Sequence, residues 1–191
     1  MRCYSCSRFS VPVICKTCRE NLFAPTMGTR KVGTLDVISF YKYSNLEALL
    51  HTKHKAEGYR IYKMLAKMTM KPFIEEFTEA DDRMVYIIGI DEYVKSGYAH
   101  VALLTRAMKT KYSKPLHAAL LARNRVNYSG KSLQFRLENP RDFHYTGKAG
   151  IDVILVDDII TTGITLQEAQ SVLLSYGVNV LFALTLADVQ E

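Results

Sequence analysis

Asp157 and Asp158, followed by Thr161, Thr162, Gly163, Ile164 and Thr165, form a dense run of groups able to do chemistry. Three hydroxyls and a glycine sit where a helix begins. The first N–H groups of a helix have no partners inside it, and its dipole favours negative charge at that end. Gly163 lets the backbone approach an anion closely. A phosphate monoester suits residues 161–165. Two carboxylates one turn upstream would repel a bare phosphate, but they can accept hydrogen bonds from sugar hydroxyls or help to hold Mg²⁺. Phosphate, vicinal hydroxyls and Mg²⁺ together describe a ribose 5-phosphate. The bland alternative is a strand ending in a solvated acid pair, followed by a Thr-capped helix. No G-x-x-x-x-G-K-[ST] loop and no G-x-G-x-x-G fingerprint is present, so triphosphate and dinucleotide sites lack support.

A second set of reactive groups lies at the other end of the chain. All four cysteines fall in two C-x-x-C pairs, Cys3 with Cys6 and Cys15 with Cys18. Pairs spaced this way can bring four thiolates round one tetrahedral Zn²⁺, which leaves no open coordination position, so such a zinc holds structure. Disulfides are opposed by a reducing cytoplasm, and a redox C-x-x-C is the other alternative. Arg2, Arg8, Lys16, Arg19, Arg30 and Lys31 surround this segment, a dressing compatible with contact to nucleic acid.

The elements that must position these groups can be read from periodicity. Residues 153–156 are uniformly apolar and branched, as in a strand buried on both faces of a parallel sheet. Leu166, Ala169, Val172, Leu173 and Tyr176 then line one helix face, Gly177 follows as a cap, and residues 178–186 read as another strand. Strand, helix and strand make a parallel crossover with the 161–165 turn at its carboxyl edge. Upstream, residues 27–33 look like a connector, 34–43 a strand, and Asn45 an N-cap for a helix over 46–50. Residues 54–71 look helical. Residues 75–82 read as an acidic loop, 84–90 as the first core strand, and 101–108 as a helix. The expected fold is α/β, with a finger over 1–31 and one domain over 32–191.

A chain of 191 residues, 48% apolar and 23% charged, forms one substantial core rather than two full domains. No apolar run is long enough to span a bilayer, and the first residues lack the apolar stretch of a secretory signal, so a cytoplasmic location is expected. The net charge of +6 is unevenly spread: residues 149–191 hold no Lys or Arg and six acids, while 106–148 hold ten bases and two acids. Polyanions are plausible partners for such a surface. On the 54–71 helix, Arg60, Lys63, Lys67 and Lys71 recur at three- and four-residue steps, with Tyr59 and Tyr62 nearby. This stripe could track a phosphate backbone while the rings stack on bases; the commoner use is a solvated face whose tyrosines cover the core. His51, His54, His100, His117 and His144 show no ligand spacing and read as surface or packing residues.

Residues 153–165 closely resemble the phosphoribosyl pyrophosphate (PRPP) motif of type I phosphoribosyltransferases. With the four-cysteine finger, the basic helix, and Arg136 and Asn139 flanked by Ser132 and Phe143, the chain resembles the competence protein F (ComF) family along its full length. The resemblance implies a type I phosphoribosyltransferase-like parallel sheet flanked by helices, behind a small four-cysteine zinc ribbon. It implies that Asp157 and Asp158 contact the ribose while Thr161, Thr162, Gly163, Ile164 and Thr165 wrap the 5-phosphate of PRPP, with Mg²⁺. It also implies a cytoplasmic role, peripheral to the inner membrane, in moving single-stranded DNA inward with other uptake components during natural transformation. In the pyrophosphate region the pattern departs: Ser96 stands for Arg, Tyr98 for Phe, Ala99 for Asn and His100 for Gln, while Gly97 is kept. Asp91 and Glu92 follow Gly89, Lys95 is the cation nearby, and Tyr128 sits near the family's Gln. Two functions follow from this. One is a PRPP-binding DNA-uptake protein; the other is an active Mg²⁺-dependent phosphoribosyltransferase acting on a nucleobase or amine. A sensor of PRPP is a third.

Overall fold

A computed structural model of the chain describes residues 1–91, 97–124, 126, 128 and 130–190. In chain order the elements are α1 (Lys16–Leu22), β1 (Gly28–Val32), β2 (Leu35–Lys42), α2 (Tyr43–Leu50), a 3-10 turn (His51–His54), α3 (Ala56–Met68), α4 (Met70–Ala80), β3 (Val85–Gly89), α5 (His100–Ala107), β4 (Ser113–Pro115), β5 (Leu120–Ala122), α6 (Leu133–Glu138), β6 (Phe143–Tyr145), β7 (Asp152–Ile160), α7 (Ile164–Ser175) and β8 (Asn179–Asp188). The main sheet runs β1-β2-β8-β7-β3-β4, and β5 and β6 form a separate antiparallel pair. All pairings in the main sheet are parallel except β1 with β2. The expected α/β architecture is what the chain forms: a mostly parallel sheet flanked by helices, with a four-cysteine unit at its N-terminus.

Alternation along the strands sorts side chains into two apolar layers. Ile87, Ile154, Val156, Leu184 and Leu186 face α2 to α5. Ile88, Val153, Leu155 and Ala183 face α7 and the β5–β6 pair. Cys3, Val13, Ile14, Cys18 and Phe23 join the first layer, so the cysteine unit packs into the same core as the sheet. From β3 the chain crosses through α5 outward to β4, whereas from β7 it crosses through α7 the other way to β8. The order therefore reverses between β3 and β7, and the carboxyl ends of those two strands open the crevice where such sheets bind ligands.

Several local expectations change. Residues 27–33 hold an edge strand, β1, paired in register from Gly28 opposite Ser39 to Val32 opposite Leu35. The acidic interval at 75–82 lies largely in helix α4, because Met70, Ile74 and Thr78 recur every four residues on a buried face. Its acids belong to the other face. The long helix expected over 54–71 breaks at Thr69, whose hydroxyl donates back to the Leu65 carbonyl at 2.8 Å, so Lys71 falls on α4 and pairs with Glu75. Asn45 caps nothing: α2 starts at Tyr43 after Lys42. Finally, β7 runs on to Ile160, so both aspartates lie within the strand.

Candidate functional site

The turn after β7 is held from both sides. Gly163 has φ +81°, a left-handed conformation, and a Cβ there would collide with Val32 Cγ1. Only glycine fits, on both counts. It precedes α7, whose first N–H groups carry no side-chain cap and face no acceptor within the helix. Arg136 Nη1 donates to the Thr161 hydroxyl at 2.6 Å. From the opposite side, Arg30 Nη2 donates to the Thr161 carbonyl, and Asp188 lies 3.1 Å from Arg30 Nε.

Arg136 is aimed by its surroundings. Ser132 caps α6 by accepting from the Phe135 N–H. The Arg136 guanidinium also donates to the carbonyls of Tyr128 and Lys131 and lies over the Tyr128 ring. Arg141 covers the same ring. The segment after α6 is seated on α7, since the Arg141 and Asp142 N–H groups donate to the Glu168 carboxylate at 3.1 and 2.7 Å. Arg136, distant in sequence, thus reaches the 161–165 turn. Sequence alone groups Arg30 with the cysteine unit; only its pairing in β1 brings it here.

The two aspartates point to opposite faces of β7. Asp158 is 6% exposed, so the pair is not the solvated one of the bland alternative. Its Oδ2 lies 3.2 Å from Lys53 Nζ, Tyr62 Oη and His100 Nε2. Burial would raise this carboxyl, but His100 and Lys53 outweigh it and hold it far below the usual carboxylate range. Asp157, half-buried on the α7 face, accepts from the Asp158 N–H at 2.8 Å. Burial and the neighbouring Asp158 charge push it up to about 7, with Arg141 and His100 opposing. One acid is therefore already engaged by protein donors, and the other retains accepting capacity. His100, expected as a surface or packing residue, stands against the Asp158 carboxylate, and Tyr62, a candidate for stacking on bases, is wholly buried.

In the crevice opposite, Asp91 serves the structure. Its carboxylate accepts from the Ala122 N–H at 2.8 Å and its carbonyl from Arg141. Those bonds tie the end of β3 to β5 and to Arg141. Glu92, Lys95 and Ser96, three positions that the sequence singles out, lie outside the described residues.

At the far end, the sulfurs of Cys3, Cys6, Cys15 and Cys18 all lie within 4.8 Å of one another. Cys6 and Cys15 Sγ are 3.8 Å apart, which matches the edge of a tetrahedron built with metal–sulfur bonds of about 2.3 Å. The Cys15 N–H donates to Cys3 Sγ at 3.3 Å, and Arg8, donating to Cys6 Sγ, holds that thiol down at about 6. The donor set fits a soft divalent ion. No other cluster of three or more His, Cys, Asp or Glu ligands occurs among the described residues. Nor is any helix among them long and apolar enough to cross a membrane.

No family model and no curated protein matches this chain. Among solved structures it is similar to a hypoxanthine phosphoribosyltransferase from Staphylococcus aureus, at 18% identity over 66% of this chain and 64% of that one, with a TM-score of 0.41. It is also similar to an adenine phosphoribosyltransferase, at 16% identity over 91% and 89%, TM-score 0.45. A third likeness is to adenine phosphoribosyltransferase from Saccharomyces cerevisiae complexed with an imino-altritol bisphosphate and adenine, at 15% identity over 91% and 89%, TM-score 0.42. The chain thus spans just under two thirds of the hypoxanthine enzyme, and at these identities the likeness concerns the fold alone.

Proposed function

We propose that the chain is a PRPP-binding protein of the ComF type that also binds single-stranded DNA, with Zn²⁺ holding the four-cysteine unit. The observation that carries the first part is the 161–165 turn at the sheet's reversal point, gripped by Arg136 and Arg30 and open at the start of α7. In this reading the 5-phosphate takes the N–H groups and hydroxyls of Thr161, Thr162, Gly163, Ile164 and Thr165. The Thr161 hydroxyl accepts from Arg136, which leaves its own proton to donate. Asp157 receives the ribose hydroxyls, directly or through Mg²⁺, while Asp158 keeps the strand end in place.

Support for nucleic acid comes from a surface joining two basic stretches. Arg60 on α3 contacts Met1 Sδ at 3.6 Å, which joins the helix carrying Arg60, Lys63 and Lys67 to the segment carrying Arg2 and Arg8. Tyr4, Phe9 and Tyr59 are exposed on these two segments, Phe9 at 84%. Rings interleaved with cations suit a single strand. DNA uptake as the setting follows from the resemblance to the ComF family.

The alternative is an Mg²⁺-dependent phosphoribosyltransferase acting on a nucleobase or amine. The same turn supports it, but transfer needs cations placed to stabilise departing pyrophosphate. Calorimetric titration with PRPP and Mg²⁺, then with single-stranded DNA, tests the preferred reading: one PRPP site per chain is expected, lost in Asp157→Ala, and absence of PRPP heat overturns it. Pyrophosphate release with acceptors present would reverse the order of the two.

A further inference from the structure

The β1–β2 hairpin lies across the start of α7. Val32 fills the space where a Gly163 side chain would stand. Gly33 abuts the Gln167 amide, and the Thr34 hydroxyl donates to Gln170 Oε1 at 3.4 Å. Arg30 projects from the same strand to the Thr161 carbonyl, its side chain only 17% exposed and Asp188 beside it at 15%. Arg30, Val32 and the bend at 33–34 thus all touch the turn or the helix it opens.

A trans peptide holds its C=O and N–H pointing in opposite directions. A guanidinium fixed on the Thr161 carbonyl therefore fixes the direction of the Thr162 N–H, which leads away from Arg30. The Arg136 bond to the Thr161 hydroxyl does not constrain that peptide plane, so the two arginines act on different atoms of one residue. Asp188, within β8, supplies the fixed charge that keeps Arg30 in place.

We propose that Arg30 is a positioning residue of the phosphate turn, orienting the 161–162 peptide so that its N–H meets the 5-phosphate, and that the β1–β2 hairpin is a wall of that site. This rests on the PRPP reading given above. Arg30→Met removes the donor while keeping apolar bulk, and Arg30→Lys restores one donor without the fork.

The test is calorimetry with ribose 5-phosphate, PRPP and pyrophosphate on wild type, Arg30→Met, Arg30→Lys and Asp188→Asn, with thermal melts alongside. Ribose 5-phosphate and PRPP should bind about tenfold more weakly to Arg30→Met, a loss of about 1.4 kcal/mol. Arg30→Lys and Asp188→Asn should fall between, and pyrophosphate, which lacks the 5-phosphate group, should be unchanged. If wild type binds PRPP and Arg30→Met binds it equally well, the inference is overturned and the PRPP reading stands. An equal loss for all three ligands, or a melt lowered in proportion to affinity, also overturns it. If wild type binds neither sugar phosphate, the underlying PRPP reading fails.

Discussion

Asp157 and Asp158 are neighbours with opposite roles, because a strand turns successive side chains to opposite faces. Asp158→Ala would remove the carboxylate on which Lys53, Tyr62 and His100 converge. Removing one partner of a buried pair typically costs about 3–5 kcal/mol, so urea unfolding should show a loss of that order. Asp157→Asn should behave differently. The folded carboxyl titrates near 7, against an ordinary aspartate value of about 4. Between those values the folded state holds a proton that the unfolded state has lost, so this group opposes folding more as pH rises through the window. Asp157→Asn should therefore be more stable than wild type at pH 8, with the advantage fading as pH falls from 7 toward 4. A gain that grew toward acid would contradict the assignment. The acid pair is legible in the sequence, but which acid is buried is not. That depends on Lys53, Tyr62 and His100 converging from separate helices and turns.

At the scale of elements, the turn and its glycine are the most legible feature, since an apolar run, a glycine and a change of period mark a strand-to-helix junction. What the sequence hides is the reason the glycine is obligatory: Val32 comes from a strand that reads as a connector between two glycines. Gly163→Ala adds a left-handed non-glycine, worth about 1–3 kcal/mol of strain, and drives a methyl into Val32. Unfolding should register that cost, and PRPP binding should fall with it. Helix α4 escapes a sequence reading because its acids, Glu75, Glu76 and Glu79, mask a four-residue buried period at Met70, Ile74 and Thr78. The cysteine unit is legible from spacing alone. Since Cys3 and Cys18 share a core layer with the sheet, a chelator should lower the melting temperature of the whole chain, and Cys18→Ser should do the same.

For the whole molecule, periodicity gives a parallel crossover but not the strand order, which arises from long-range pairing. The reversal between β3 and β7 emerges only once the sheet is assembled, and it brings the α6 segment, the edge hairpin and the turn together. The basic surface belongs to this scale too. Binding of single-stranded DNA should weaken steeply with salt, and Lys63→Ala with Lys67→Ala should reduce the log–log slope by about 0.7 per charge removed. Lys71→Ala should leave the slope alone, because Lys71 lies beyond the break at Thr69 and pairs with Glu75.

A crystal structure with PRPP and Mg²⁺ bound tests the central claim most directly. The expected result is the 5-phosphate seated on the backbone of residues 161–165, the ribose hydroxyls or the cation against Asp157, and Asp158 still turned toward Lys53 and His100. Ligand bound elsewhere with that turn bare, or a ribose held by Asp158 in place of Asp157, would contradict it.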